Sequence, residues 1–137
     1  MIKALIFDCF GVFYTDPVFD YMNDPMTSLE KAKALHALDE QAALGALSKD
    51  EFVARAASLI GDDESEVEQR FFHSSERNGQ LLMYLHDLRQ QYKVVMLSNI
   101  GGDMMDGFFP PEERQQLFDV VILSGNAKIA KPDRAIF

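Results

Sequence analysis

A second cysteine is missing from this chain. Cys9 stands alone, so no internal disulfide can form, and the expectation is a reducing, cytoplasmic setting. Basic runs are missing too. Lys plus Arg number 13 against 22 Asp plus Glu, a formal net charge of −9. A nucleic-acid backbone or an anionic membrane surface would repel such a chain, so neither is expected as a partner. No apolar stretch approaches the length of a membrane span. The first residues lack the basic, apolar and small-residue sections of a secretory signal, because their apolar run ends on Asp8. Internal repeats and low-complexity linkers are absent. What remains is an ordinary globular composition, 47% hydrophobic and 26% charged over 137 residues, enough for one compact domain.

That domain opens on KALIFDCFGVFYTD, from Lys3 to Asp16. Ala4 to Phe7 carry no polar side chain and form too short a run for a helix. They read as a strand covered on both faces, as in a parallel sheet. Asp8 stands where the strand stops, at the edge where open α/β sheets bind ligands; the plainer alternative is an aspartate that caps the turn. Tyr14 to Pro25, rich in Asp, Pro and aromatics, reads as a loop. Leu29, Ala32, Leu35, Leu38 and Ala42 recur at helical spacing and predict a helix from about Ser28 to Leu47. SKDE, Ser48 to Glu51, is a capping box that opens a helix through Ile60, and Gly61 ends it.

ESEVEQRFFHSS supplies a further short helix. Asn78 to Tyr92 is another, with Leu81, Leu82, Leu85 and Leu88 on one stripe. KVVMLSN follows as a strand ending on Ser98 and Asn99. Pro110 and Pro111 start a short helix through Leu117, and FDVVILSG gives a strand ending at Ser124 and Gly125. Apolar strands alternating with helices predict an α/β fold with a doubly wound parallel sheet. The link from Cys9 to Tyr92 far exceeds a simple crossover. Extra helical structure must therefore sit over the ligand end of the sheet, as a lid or as plain elaboration.

Asp8, Ser98 and Lys131 bring a carboxylate, a hydroxyl and an ammonium to the carboxyl edge. Pro132 holds Lys131 extended and suits the first position of a helix, so Lys131 is expected at a helix start beside free amides. At these residues the chain resembles the haloacid dehalogenase-like (HAD) hydrolase superfamily. ALIFDCFGV corresponds to its first motif, VVMLSN to its second and KIAKPDRAIF to its third, in the right order. The helical insertion falls where that superfamily carries a smaller helical cap. The resemblance implies a HAD-like, Rossmann-like core over residues 1–14 and 78–137, cut to about three strands, with a helical cap over 15–77.

It also implies a chemistry. Asp8 would be the nucleophile that takes the phosphoryl group of a small phosphate monoester as an aspartyl-phosphate. Ser98 and Asn99 would bind phosphoryl oxygens, and Lys131 would balance the charge. Mg²⁺ would be held by Asp8 and the Phe10 backbone carbonyl. Two departures qualify this. The family's phosphatases usually place a second aspartate, a proton donor, where this chain has Phe10; the metal-free 2-haloacid dehalogenases carry an aromatic residue there. A fourth, acidic motif that helps to hold Mg²⁺ is also absent from this sequence.

The first choice is thus a Mg-dependent phosphatase, incomplete or inactive as this chain. A 2-haloacid dehalogenase is the second, although no arginine precedes Arg55 in the presumed cap to hold a substrate carboxylate. A non-catalytic HAD-like fragment or binding protein is the third. His36, His73 and His86 lack metal-ligand spacing. Cys9 reads as a small loop residue, and Met104, Met105, Phe108 and Phe109 as core filling beside the second motif. The acids of DDESEVE read as a solvated helix start. Ile136 and Phe137, exposed at the tip of a short helix, and an apolar strand edge at Ala4 to Phe7 point to a longer parent protein. Failing that, a second copy of the chain is the expected cover for that edge.

Overall fold

A computed structural model describes residues 1–137. Its sheet is built from β1 (Ala4–Phe7), β2 (Lys93–Ser98) and β3 (Val120–Leu123), in the spatial order β1-β2-β3. Both pairings are parallel, with Phe7 opposite Met96 and Ser98 opposite Leu123. The carboxyl ends of the strands therefore meet at one edge, where Asp8 follows β1 and Ser98 closes β2. β2 is central and mostly buried. β1, in contrast, is not covered on both faces: Ala4 and Ile6 are exposed and Leu5 and Phe7 half-buried. An apolar sequence tells what a strand can bury, but its place in the sheet decides what it does bury. β1 has a neighbour on one side only.

Between β1 and β2 come α1 (Pro17–Asn23), α2 (Leu29–Ala43), α3 (Lys49–Ile60), α4 (Glu64–Glu68) and α5 (Gly79–Arg89). The segment expected as a loop contains α1. Asp16 caps it by accepting the Phe19 N–H, and Pro17 takes the first position, where its missing N–H costs nothing. α2 is shorter than its periodicity predicts, and Leu29, at its first position, is 70% exposed. α3 carries the expected reciprocal capping box at Ser48 and Glu51, and Gly61 ends it at φ +88°. A π-helical turn over Gln69–His73 extends α4, which puts Phe71 and Phe72 into the core. Asn78 caps α5.

After β2 come α6 (Gly102–Met105) and α7 (Pro111–Leu117), and α8 (Ser124–Ala127) follows β3 directly. No helix starts at Pro132. The Asp133 carboxylate captures the Ala135 N–H, so a single 3₁₀ turn begins at Arg134 instead. Lys131 precedes it in a turn. At the tip, Ile136 is buried and only Phe137 is exposed.

One apolar cluster runs without a break from the inserted helices into the sheet. Phe13, Phe109 and Phe118 pack with ring centres 5.4 to 5.9 Å apart. The insertion is also stapled by polar contacts. Its entering and leaving segments pair at Tyr14 and Arg77, with Thr15 donating to the Glu76 carbonyl and Asn78 to that of Phe13. At the far end of α2, Ser124 Oγ donates to the Ala43 carbonyl. Lys128 Nζ donates to the carbonyls of Leu44 and Gly45, at 3.3 and 3.1 Å. Only glycine fits at position 45: φ is +68°, and a Cβ there would stand 2.6 Å from Lys128 Nζ and 2.7 Å from the Gly125 carbonyl oxygen. No helix is long and apolar enough to cross a membrane.

Candidate active site

The carboxylate of Asp8 is held from two sides. The Cys9 N–H donates to Oδ1 at 2.8 Å, and the Lys131 ammonium stands 2.7 Å from Oδ2. Lys131 also donates to the Leu97 carbonyl at 3.0 Å, so one ammonium joins the carboxyl ends of β1 and β2. The Asp8 side chain is 45% exposed and that of Lys131 only 23%. The nucleophile candidate is reachable, and its counter-charge is sheltered.

Asn99 fixes the turn that carries Lys131. Its Nδ2 donates to the Lys131 carbonyl at 3.0 Å, and its Oδ1 accepts the Lys131 N–H at 2.8 Å. Its amide is thus committed to the backbone of Lys131. Ser98 is fully buried, and its Oγ has no hydrogen-bond partner in the chain. Leaving a buried hydroxyl unmet costs about 1–3 kcal/mol, and such an orphan marks a place where a ligand can supply the partner.

Phe10 is half-buried and packs edge-on against Phe108, ring centres 4.9 Å apart. In the turn after β1, the Cys9 carbonyl accepts from Phe13 and Tyr14, and Gly11 donates to the Tyr14 carbonyl. The Phe10 carbonyl takes no part. Asp8 and that carbonyl offer two oxygens toward the six that Mg²⁺ takes. No group of three His, Cys, Asp or Glu stands together to hold a metal. The residues present do not fit a Mg²⁺ site. His36 lies 3.6 Å from Glu40 and His73 3.8 Å from Glu68, each at the surface beside a carboxylate. Of the acids of DDESEVE, Asp62 pairs with Arg70 at 2.7 Å.

A cavity of about 70 Å³ lies where the inserted helices meet this edge. Asn99 and Phe10 border it from the sheet, and Phe52, Phe72 and Phe108 form much of its wall. Met104 and Phe108 are buried core residues, as expected, and they also line the cavity. Two carboxylates face it, Asp16 and Asp39, and neither stands out in the motifs. Asp39 carries a usable signal, since it lies four residues after Leu35 and three before Ala42, on the buried face of α2. An acid on an apolar stripe is the anomaly to look for.

Burial pushes the Asp39 carboxyl up to about 6; the charge of Asp16 adds to this and His36 opposes it. Burial also raises Asp16, against the N–H bond it receives from Phe19. Cys9 is pushed up to about 12, first by burial and then by Asp8 and Asp16. It is an inert packing residue, not a nucleophile.

Solved structures share this arrangement of strands and helices. An HAD family enzyme from Bacteroides thetaiotaomicron superposes with a TM-score of 0.78 at 22% identity, over 99% of this chain and 75% of its own. The fold is HAD-like. The same enzyme has been solved in complex with magnesium and inorganic phosphate. An HAD-like family hydrolase from Porphyromonas gingivalis matches at 23% identity and TM-score 0.65, over 100% of this chain and 73% of that one. The L-2-haloacid dehalogenase of Xanthobacter autotrophicus, with chloropropionic acid covalently bound, matches at 20% and 0.61, over 96% and 60%. No family model matches the chain, and no curated protein does. Likeness at this level of identity shows the HAD-like fold and leaves the chemistry to the site.

Proposed function

We propose that the HAD-like site at Asp8 transfers the phosphoryl group of a small phosphate monoester to water, through an aspartyl-phosphate. The observation that carries this is the Asp8–Lys131 pair beside the orphaned Ser98 hydroxyl. An Asp8 oxygen attacks phosphorus, and the bond to the ester oxygen breaks. The alcohol leaves with the electron pair and takes a proton from water, because Phe10 has none to give. A water molecule then attacks phosphorus, the bond to Asp8 breaks, and its proton passes to solvent as inorganic phosphate departs. Lys131 offsets the negative charge that gathers as carboxylate and phosphate approach, and Ser98 donates to a phosphoryl oxygen. With no complete metal site and no proton donor, turnover by this chain is expected to be slow and to favour esters of acidic alcohols.

The dehalogenase reading is weaker on a specific observation. A 2-haloacid brings a carboxylate that needs a cation, and the cavity lining holds Asp16 and Asp39 with no Lys, Arg or His. Three measurements on the purified chain separate the readings: phosphate release from p-nitrophenyl phosphate, halide release from 2-chloropropionate, and binding of inorganic phosphate. Phosphate release supports the proposal. Halide release in its place establishes the dehalogenase, and phosphate binding without either reaction makes the chain a binding protein.

A further inference from the structure

The cavity beside the Asp8 edge is mostly apolar, 10 of its 14 lining residues being hydrophobic, and it holds no cation. It nevertheless presents two carboxylates. Asp39 is half-buried, and no hydrogen bond or cation-bearing neighbour other than His36 favours its charged form. A carboxylate taken from water without a partner is costly, which is why buried charges are nearly always paired. Asp16 faces the same space, and its charge disfavours a charged Asp39.

Around these acids stand the rings of Phe10, Phe52, Phe72 and Phe108. Aromatic faces attract cations, and the attraction grows where water is excluded. An anionic group would be repelled here, and a neutral alkyl group would leave the Asp39 carboxylate unmet, whereas Asp16 already accepts the Phe19 N–H. A small cation satisfies acids and rings together. The volume of about 70 Å³ admits on the order of five water-sized groups. That suits an alkylammonium of about two to four carbons. The cavity wall at Ala42 and Ala43 is tied down, because this end of α2 is held to α8 by Ser124 and to Lys128.

We infer that this cavity seats the ammonium group of a small amino-alcohol phosphate, between Asp39 and Asp16 and against the phenylalanine rings, with the phosphate toward Asp8. The phosphate end of the inference rests on the phosphoryl-transfer reading above; the ammonium end rests on the cavity alone. The upward push on Asp39 is what an unpaired carboxylate shows, and a bound ammonium reverses it.

The test compares phosphoethanolamine with propyl phosphate, in which a methyl group replaces the ammonium, at pH 8. The expected result is a kcat/KM about tenfold higher for phosphoethanolamine, with Asp39→Asn reducing the ratio to within about threefold. Equal rates in the wild-type chain, or a preference that survives Asp39→Asn, overturn the inference. If neither ester turns over, the phosphoryl-transfer reading is decided by p-nitrophenyl phosphate, as above, and the cavity is judged separately. Ethanolamine alone is then titrated into the chain and followed by amide NMR shifts. Saturable shifts at α2 that Asp39→Asn removes support the ammonium site, and their absence overturns it.

Discussion

Asp8 and Asp39 are handled in opposite ways. Asp8 is nearly half exposed, yet it is fully partnered by an ammonium and a backbone N–H. Asp39 is the more buried of the two and has neither. A paired, solvent-reachable carboxylate is held aimed, which suits the attack on phosphorus proposed for it. An unpaired carboxylate in an apolar wall is held against a penalty, which suits a group whose partner arrives with the substrate. On the readings proposed above, the difference separates a residue for chemistry from one for recognition.

The largest expected effect breaks the first half of that comparison. Asp8→Asn removes the proposed nucleophile and should lower phosphate release at least about 100-fold, ~2.7 kcal/mol or more. Its thermal midpoint should move by only a few degrees. A variant that keeps more than about a tenth of the wild-type rate rules out nucleophilic attack by Asp8.

Asp39→Asn tests the other half through stability. The folded-state pKa, about 6, lies above the unfolded value of about 3.9. Between these values the native chain holds a proton that the unfolded chain has released. Stability from this residue is therefore fully present below about pH 4, falls as pH rises to about 6, and stays lower above it. The amide removes that slope. Urea midpoints at pH 4 and 7.5 should show the variant gaining up to about 2 kcal/mol on wild type at the higher pH, after allowance for solvent screening. An unchanged pH slope would mean that Asp39 is not penalised by its surroundings.

Smaller effects sharpen the picture around Asp8. Lys131→Ala should lower the rate and the affinity for inorganic phosphate each by about tenfold, ~1.4 kcal/mol. Unaltered phosphate affinity by calorimetry would reduce Lys131 to a tie between β1 and β2. Ser98→Ala should be the mildest: stability equal to wild type or higher by about 1 kcal/mol, because an unmet hydroxyl is gone, with weaker phosphate binding. A clear loss of stability on denaturation would show that Ser98 has a partner within the chain.

What could be read from the sequence was local. The strand ends at Asp8 and Ser98, the Ser48–Glu51 box and the Gly61 stop depend on a few neighbouring residues, and these elements stand where expected. The placement of Lys131 was legible and its setting was not, because Asp133 competes with Pro132 for the start of the next turn. α1 was hidden by composition, although Asp16 followed by Pro17 is a helix-start signal. The exposure of β1 could not be read locally, since it depends on which strands flank it. Asp39 carries no strand-end signal: it lies on the apolar face of α2, where an acid shows in the sequence only as a break in the stripe.

The staples between the inserted helices and the sheet bear on traffic. The chain is fastened where it enters and leaves the insertion, at Tyr14 and Arg77, and again where α2 ends against Ser124 and Lys128. If these contacts persist in solution, the insertion acts as a fixed aperture and gives up the tightening that closure provides. A molecule that is too wide is then refused before any contact with Asp8 can matter. The range of compounds admitted becomes a property of entry rates, and widening that range by mutation is a matter of trimming the rim.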